Sequence, residues 1–234
     1  QARLHLQNGL SVTAPRLDSV GATELDVFNE QAATLLQSGK AAAAFDLSRE
    51  PNSVRERYGR HSWGQSHLLA RRLVEAGTRF VSTVNGPSIV WDTHKDNFNT
   101  LKNRLVPPMD QAYAALLDDL EERGLLDTTL VIWMGEFGRT PKINTGQPGI
   151  PVPGRDHWGN AISVMIAGGG LKPGVVVGET NARAERPKER PLLPADLLAT
   201  IYHQLGIDPS LTFKDHSGRP IAILDEGKPI HELL

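Results

Sequence analysis

The chain has no cysteine. Disulfides, thiolate metal ligands and a cysteine nucleophile are excluded together. It also has no apolar run near the roughly 20 residues that a membrane-spanning helix needs. Neither sign of charge is in excess: 25 Lys and Arg stand against 27 Asp and Glu, a formal net charge of −2. That balance excludes nucleic-acid binding through bulk charge. Gly168, Gly169 and Gly170 follow an apolar run, but no Lys-Ser or Lys-Thr comes after them, so they form no P-loop. No G-x-S-x-G elbow, internal repeat or low-complexity tract occurs. No signal-peptide pattern is present, and the first residue is Gln1. Either a segment has been removed or the chain is a piece of a longer protein.

What is present is ordinary for a folded protein. Hydrophobic residues make up 39% and charged residues 22% of 234, enough for one large α/β domain or two small ones. Residues 1–19 read as irregular. Ala22, Leu25, Phe28, Ala32, Leu35 and Leu36 recur at threes and fours, which predicts a helix over Ala22–Ser38. Short helices follow over Ala41–Leu47 and from Pro51 to Tyr58. Ser62 is the expected cap of a helix running to Gly77.

The pattern changes at Arg79. RFVSTVN reads as a strand bounded by glycines. A long helix over Asn97–Arg123 follows, with Leu101, Leu105, Met109, Ala112, Leu116 and Leu120 on one face. Pro107 and Pro108 predict a kink near Val106. TLVIWM, Thr129–Met134, reads as a buried strand, and the three elements as a right-handed βαβ unit. AISVMIA, Ala161–Ala167, reads as a further buried strand, VVVG at 175–178 as a short one, and the run from Pro194 to Gly206 as a helix. Residues 1–78 are thus expected as a helical segment packing on the sheet. Residues 79–234 are the α/β part of the same domain.

Ligands of parallel α/β sheets bind at loops leaving the carboxyl ends of strands. Two such loops carry ligand-type side chains. One holds Asp92, His94 and Asp96. The other, long and rich in Gly and Pro, holds Glu136, Arg139, Arg155, Asp156 and His157. Loops of this length in compact domains are usually functional or disordered. Asp, Glu and His together suit a divalent cation, and Arg beside it suits phosphate or sulfate. Plainer roles stand beside these. Asp96 or Asn97 caps the long helix, Asp156 and His157 support ligands rather than ligating, and the arginines pair with neighbouring carboxylates. His5, His61, His67, His203, His216 and His231 read as core or surface residues.

WDTHKDNF, GLLDTTLVIWMGEFGRTPKIN, GRDHW, AGGGLKPGVVVGET and PADLLATIYHQLGIDP, in this order, resemble the DUF1501 family. FDLSREP and YGRHSWGQSHLLARRLVEAGTRFV fit it too. The resemblance runs from about Phe28 to Leu234. That family is common in planctomycetes and related bacteria and is grouped with the alkaline phosphatase-like superfamily, alongside sulfatases and phosphomutases. The resemblance implies a three-layer α/β sandwich with a mostly parallel central sheet, its N-terminal part missing from this chain.

It also implies a metal-dependent hydrolase of phosphate or sulfate esters. Asp92, His94, Glu136 and His157 are then the expected ligands of a divalent cation (Zn, Ca, Mg or Mn). Arg139 faces the anion, and Asp156 orients or ligates. Where the superfamily has an Asp-His pair after the strand, this chain has Glu136 and Phe137, and Phe137 cannot ligate. The nucleophile is expected upstream of Gln1. Members often carry an export signal, so the expected location is extracytoplasmic or periplasmic. Phe137 keeps an alternative open: a non-catalytic protein on the same fold, binding an anionic glycan or a protein partner.

Overall fold

The computed structural model describes residues 39–84, 86 and 90–234. The helix expected over Ala22–Ser38 lies outside them. The chain divides into two compact units between Arg49 and Glu50. In the described part of the first, α1 (Gly39–Phe45) leads into a 3-10 turn at Leu47–Arg49. Asp46 closes that turn, its Oδ1 accepting from Ser48 N at 3.1 Å and from Ser48 Oγ at 2.5 Å.

The second unit opens with α2 (Asn52–Tyr58) and α3 (Ser62–Glu75). The residue capping α3 is His61, not Ser62: its Nδ1 accepts from Gly64 N at 3.1 Å. Then α4 (Asn97–Thr100) passes through a π turn at Leu101–Leu105 into α5 (Val106–Glu122). Val106 N–H reaches back to Leu101 O. The π turn lies where the two prolines predict a kink, because Pro107 and Pro108 supply no N–H to a regular ladder.

Helix α5 packs on α3 and on α2. The stripe read from sequence is the buried one: Leu105, Met109, Ala112, Leu116 and Leu120 are all buried. Asp119 is buried beside Leu120, and Arg71 on α3 is only 1% exposed. Arg71 lies 2.8 Å from Asp119 Oδ2, 2.9 Å from Glu50 Oε1 and 2.6 Å from Glu75 Oε2. Arg72 pairs with Glu50, Arg123 with Asp119 at 2.8 Å, and Tyr58 Oη donates to Asp119 Oδ2 at 2.9 Å. Burial pushes the Asp119 carboxyl up, but the hydrogen bonds from Arg123 and Tyr58 and the Arg71 charge outweigh it, and the group sits below its ordinary value. Burial, then Asp119 itself, pushes the Tyr58 phenol up, so Tyr58 stays a donor.

Four two-stranded antiparallel ladders follow. They pair β1 (Leu130–Trp133) with β4 (Met165–Gly168), β2 (Gly138–Arg139) with β3 (His157–Trp158), β5 (Glu179–Thr180) with β6 (Pro187–Glu189), and β7 (Thr212–Lys214) with β8 (Pro220–Ala222). Helix α6 (Pro194–Gln204) separates the last two pairs. The described residues are therefore mixed α/β with short strands in small sheets.

Four sequence expectations are not met among the described residues. No parallel pair, and so no mostly parallel central sheet, forms among the described residues. Residues 79–84 form no strand, with Phe80 82% exposed. A strand needs a partner for its backbone groups, and among the described residues none pairs with them. The βαβ unit therefore does not close. The AISVMIA strand starts late, at Met165, because its ladder with β1 runs only from Leu130↔Gly168 to Trp133↔Met165. VVVG is no strand either. It lies between Gly174 and Gly178, both at positive φ, and the ladder begins at Glu179.

The core nearest the site is aromatic. Trp63, Leu105 and Met109 pack with Val90, Trp91, Leu101, Tyr113 and Trp133. Trp63 stacks on Trp91 at 5.6 Å between ring centroids, and Tyr113 tilts against Trp133 at 6.5 Å. Each side chain anchors a loop: Asp92 follows Trp91, and the Gly135–Arg139 segment follows β1.

Candidate metal centre

After Trp91 the backbone turns tightly. Thr93 N donates to Trp91 O at 2.9 Å, and His94 N to Asp92 O at 3.2 Å. Asp92 and His94 thus leave one short turn, with buried Thr93 between them. Asp96 sits in the left-handed region at φ 48°, which Asp tolerates better than most residues. It precedes α4, yet its side chain caps no backbone N–H. Instead its Oδ1 accepts from Asn99 Nδ2 at 2.8 Å.

The second loop comes in on β2 and β3. Arg139 pairs with His157 across that ladder. Gly138 has to be glycine, since a Cβ there would lie 1.8 Å from Ala161 O. Gly154 is as constrained, because its Cβ would lie 2.2 Å from His94 O. The two loops touch backbone to backbone at that point.

Three donor atoms converge. His157 Nε2 lies 2.7 Å from Asp92 Oδ1, and His94 Nε2 lies 2.9 Å from the same oxygen. The two Nε2 atoms are 3.2 Å apart. Ligand atoms about 2.0–2.1 Å from a tetrahedral ion stand roughly 3.3 Å apart. The set Asp, His, His therefore fits a divalent cation in donor type and nearly in spacing. Among the described residues this is the one such group of three. It is open on one side, with Asp92 41% and His157 49% exposed at the side chain.

Each donor is held from behind. Arg139 donates to Asp92 Oδ1 at 3.0 Å and to Trp91 O at 2.8 Å. The hydrogen bond from His157, and then that from Arg139, hold the Asp92 carboxyl below its ordinary value. His94 Nδ1 lies 2.8 Å from Asp156 Oδ1. A proton on Nδ1 facing that carboxylate leaves the Nε2 lone pair for a ligand, the tautomer a metal requires. The His94 bond, and then Asn144, hold the Asp156 carboxyl low as well. Phe137 lies against the His157 ring, 4.4 Å between centroids.

Of the expected ligands, Asp92, His94 and His157 come together, and Glu136 is exposed and outside the converging group. Arg139, 25% exposed at the side chain, grips Asp92. Arg155 donates to Thr140 O at 2.6 Å and Pro141 O at 2.8 Å, and its guanidinium lies over Phe98. Asp156 stands behind His94. Gly168–Gly170, at positive φ throughout, wrap Leu126, whose carbonyl accepts from Gly169 N at 2.9 Å, and make no anion cradle there. Sequence reading missed Asn144, which bonds both loops. Its signal was local: Asn144 Oδ1 accepts from Gly146 N at 2.9 Å, the turn that Asn-x-Gly favours.

No curated protein and no solved structure matches the chain. One family does, described as a protein of unknown function, and the match runs over residues 3–234. That span takes in both loops, all three converging donors and the residues that hold them, and the chain belongs to the DUF1501 family.

Proposed function

We propose that this chain holds the metal centre of a hydrolase of phosphate or sulfate esters, of the alkaline phosphatase-like kind. The convergence of Asp92 Oδ1, His94 Nε2 and His157 Nε2 on one open point carries the reading. A cation bound there supplies a Lewis acid for an ester oxygen. Two imidazoles and one carboxylate favour Zn or Mn over Ca or Mg, which prefer oxygen throughout. Asp92, His94 and His157 bind, Arg139 fixes the Asp92 carboxylate, and Asp156 keeps the His94 proton on Nδ1. Phe137 covers one side of His157 and limits water there. The reading carries an extracytoplasmic location with it, by resemblance alone. None of the described helices is long and apolar enough to cross a membrane.

A second reading is non-catalytic binding of an anionic glycan or a protein partner on the same fold. Two observations favour it: Phe137 stands beside His157, and both nearby guanidinium groups are engaged by the chain's own oxygens. One experiment separates the two. Metal content is measured after dialysis in the full-length protein, with turnover on a panel of aryl phosphates and aryl sulfates. The hydrolase reading expects one tightly held cation per chain and turnover that His157→Ala abolishes. A metal-free protein that still binds sulfated or phosphorylated glycans would replace it with the second.

A further inference from the structure

Asn144 lies in no expected site, yet it joins every part of this one. Its Nδ2 donates to Asp156 Oδ1 at 3.0 Å and to His94 O at 3.0 Å. Its Oδ1 accepts from Gly146 N at 2.9 Å and Gly154 N at 2.8 Å. Its backbone N–H donates to Gly154 O at 3.0 Å. The side-chain amide thus has both N–H groups and both lone pairs engaged, all that an amide offers. Both N–H partners are pure acceptors and both oxygen partners are pure donors, so the amide has only one orientation that works.

We propose that Asn144 is a positioning residue for the metal centre. It clamps the His94 backbone and the carboxylate behind His94 in one fixed relation, and so aims Nε2 at the shared point. The proposal rests on the metal reading above. On the side away from the shared point, the His94 ring is held by its own backbone and by Asp156 at Nδ1. Among the described residues Asn144 is the one side chain that hydrogen-bonds to both. Gly154 completes the clamp, since only glycine fits against His94 O. Asp156 N donates to Thr140 Oγ1 at 3.0 Å, which fixes the Asp156 backbone independently of the amide. Losing the amide alone therefore frees the carboxylate and leaves the strand pairing in place.

Asn144→Asp separates aiming from folding. It keeps an oxygen for Gly146 N and Gly154 N but replaces the two N–H donors with a charge facing Asp156. Zn2+ and Co2+ titrations of the full chain should then show affinity reduced about 10–100-fold, the usual effect of losing a ligand's supporting partner. The reciprocal swap Asn144→Asp with Asp156→Asn restores one donor and one acceptor between the two positions. It should recover part of that affinity.

A metal-free readout accompanies these. In 15N-labelled protein the His94 ring should show one tautomer, protonated at Nδ1, and should lose that uniformity in Asn144→Asp. If wild type binds neither cation, the metal reading fails, while the tautomer still decides the role of Asn144. Wild-type affinity and an unchanged His94 signal in Asn144→Asp would overturn the proposal. So would a swap whose loss is the sum of the two single losses. Should Asn144→Asp unfold, Asn144→Gln, which keeps the amide chemistry and displaces it by one methylene, takes its place with the same expectations.

Discussion

The two clusters of ionisable side chains in this chain are built from similar residues and have opposite character. Between the helices, Arg71, Asp119 and Glu50 are withdrawn from water, and each carboxylate faces at least one guanidinium. In the loops, Asp92, His94 and His157 are part-exposed, and each turns its donor atom toward the other two. The first cluster balances its charges within itself. The second is stable only with protons or a cation held between its members. Backbone accounts for the contrast. Helices α3 and α5 bring long opposite charges side by side over one packed face, whereas two tight turns bring three short side chains to a point. A cluster that satisfies itself serves the fold, and one that converges on a shared point serves a ligand.

The comparison breaks first at Asp119. Asp119→Ala leaves Arg71 and Arg123 without their shared carboxylate and should lower unfolding free energy by about 3–5 kcal/mol, read by urea denaturation. Metal affinity of the folded protein should not change. A fall in affinity would mean the clusters are coupled. His94→Ala is the converse: metal affinity should drop more than about 100-fold, beyond the usual loss for a supporting residue, and stability should move by less than about 1 kcal/mol.

Acid sharpens the contrast. A cation must compete with protons for its ligand atoms, so metal affinity should fall as the solution is made acidic. The helix cluster answers later. Asp119 and Glu50 are held below their ordinary values when folded. Their contribution is therefore complete above the unfolded carboxylate range, about 3.9–4.3, and is lost as pH falls through the lower folded values. At pH 5 the protein should release metal yet keep its helical circular dichroism. Simultaneous loss of both would merge the two regions. The smallest effect is expected at Glu136, which stands outside the converging donors: Glu136→Ala should alter metal affinity by less than about twofold, measured by calorimetry. A larger loss would bring Glu136 into the site.

Helices were the most legible part of this chain, because their burial is periodic. Leu105, Met109, Ala112, Leu116 and Leu120 announce one face of α5, and the two prolines announce where it is interrupted. Arg71 and Asp119 were not legible, since a charged residue inside a helix ordinarily marks the solvent side, and only the facing helix reveals otherwise. RFVSTV has the composition of a strand, but composition carries no partner, and strand formation is a property of pairs. At the site, D-T-H and D-H-W gave three converging donors and one support. The sequence could not say that Arg139 pairs with Asp92, because a guanidinium binds a neighbouring carboxylate and a substrate anion alike. Nor could it show that Asn144 reaches back across fifty residues to His94.

The π turn at Leu101–Leu105 bears on which changes of length this protein tolerates. A regular helix advances about 100° and 1.5 Å per residue, and a π turn carries one residue more than its hydrogen bond would otherwise enclose. Asp96 and the buried stripe of α5 are thus held in phase by a residue count and not by any one side chain. Deleting a single residue from 101–105 would close the π turn to a regular α turn and leave the two helices nearly in phase, whereas inserting one would swing the start of α4 by about 100°. The loop before α4 would turn with it, and at Gly154 His94 O already leaves no room for a methyl group. Substitutions at the exposed Lys102, Asn103 and Arg104 should therefore pass, as should a one-residue deletion, where a one-residue insertion does not.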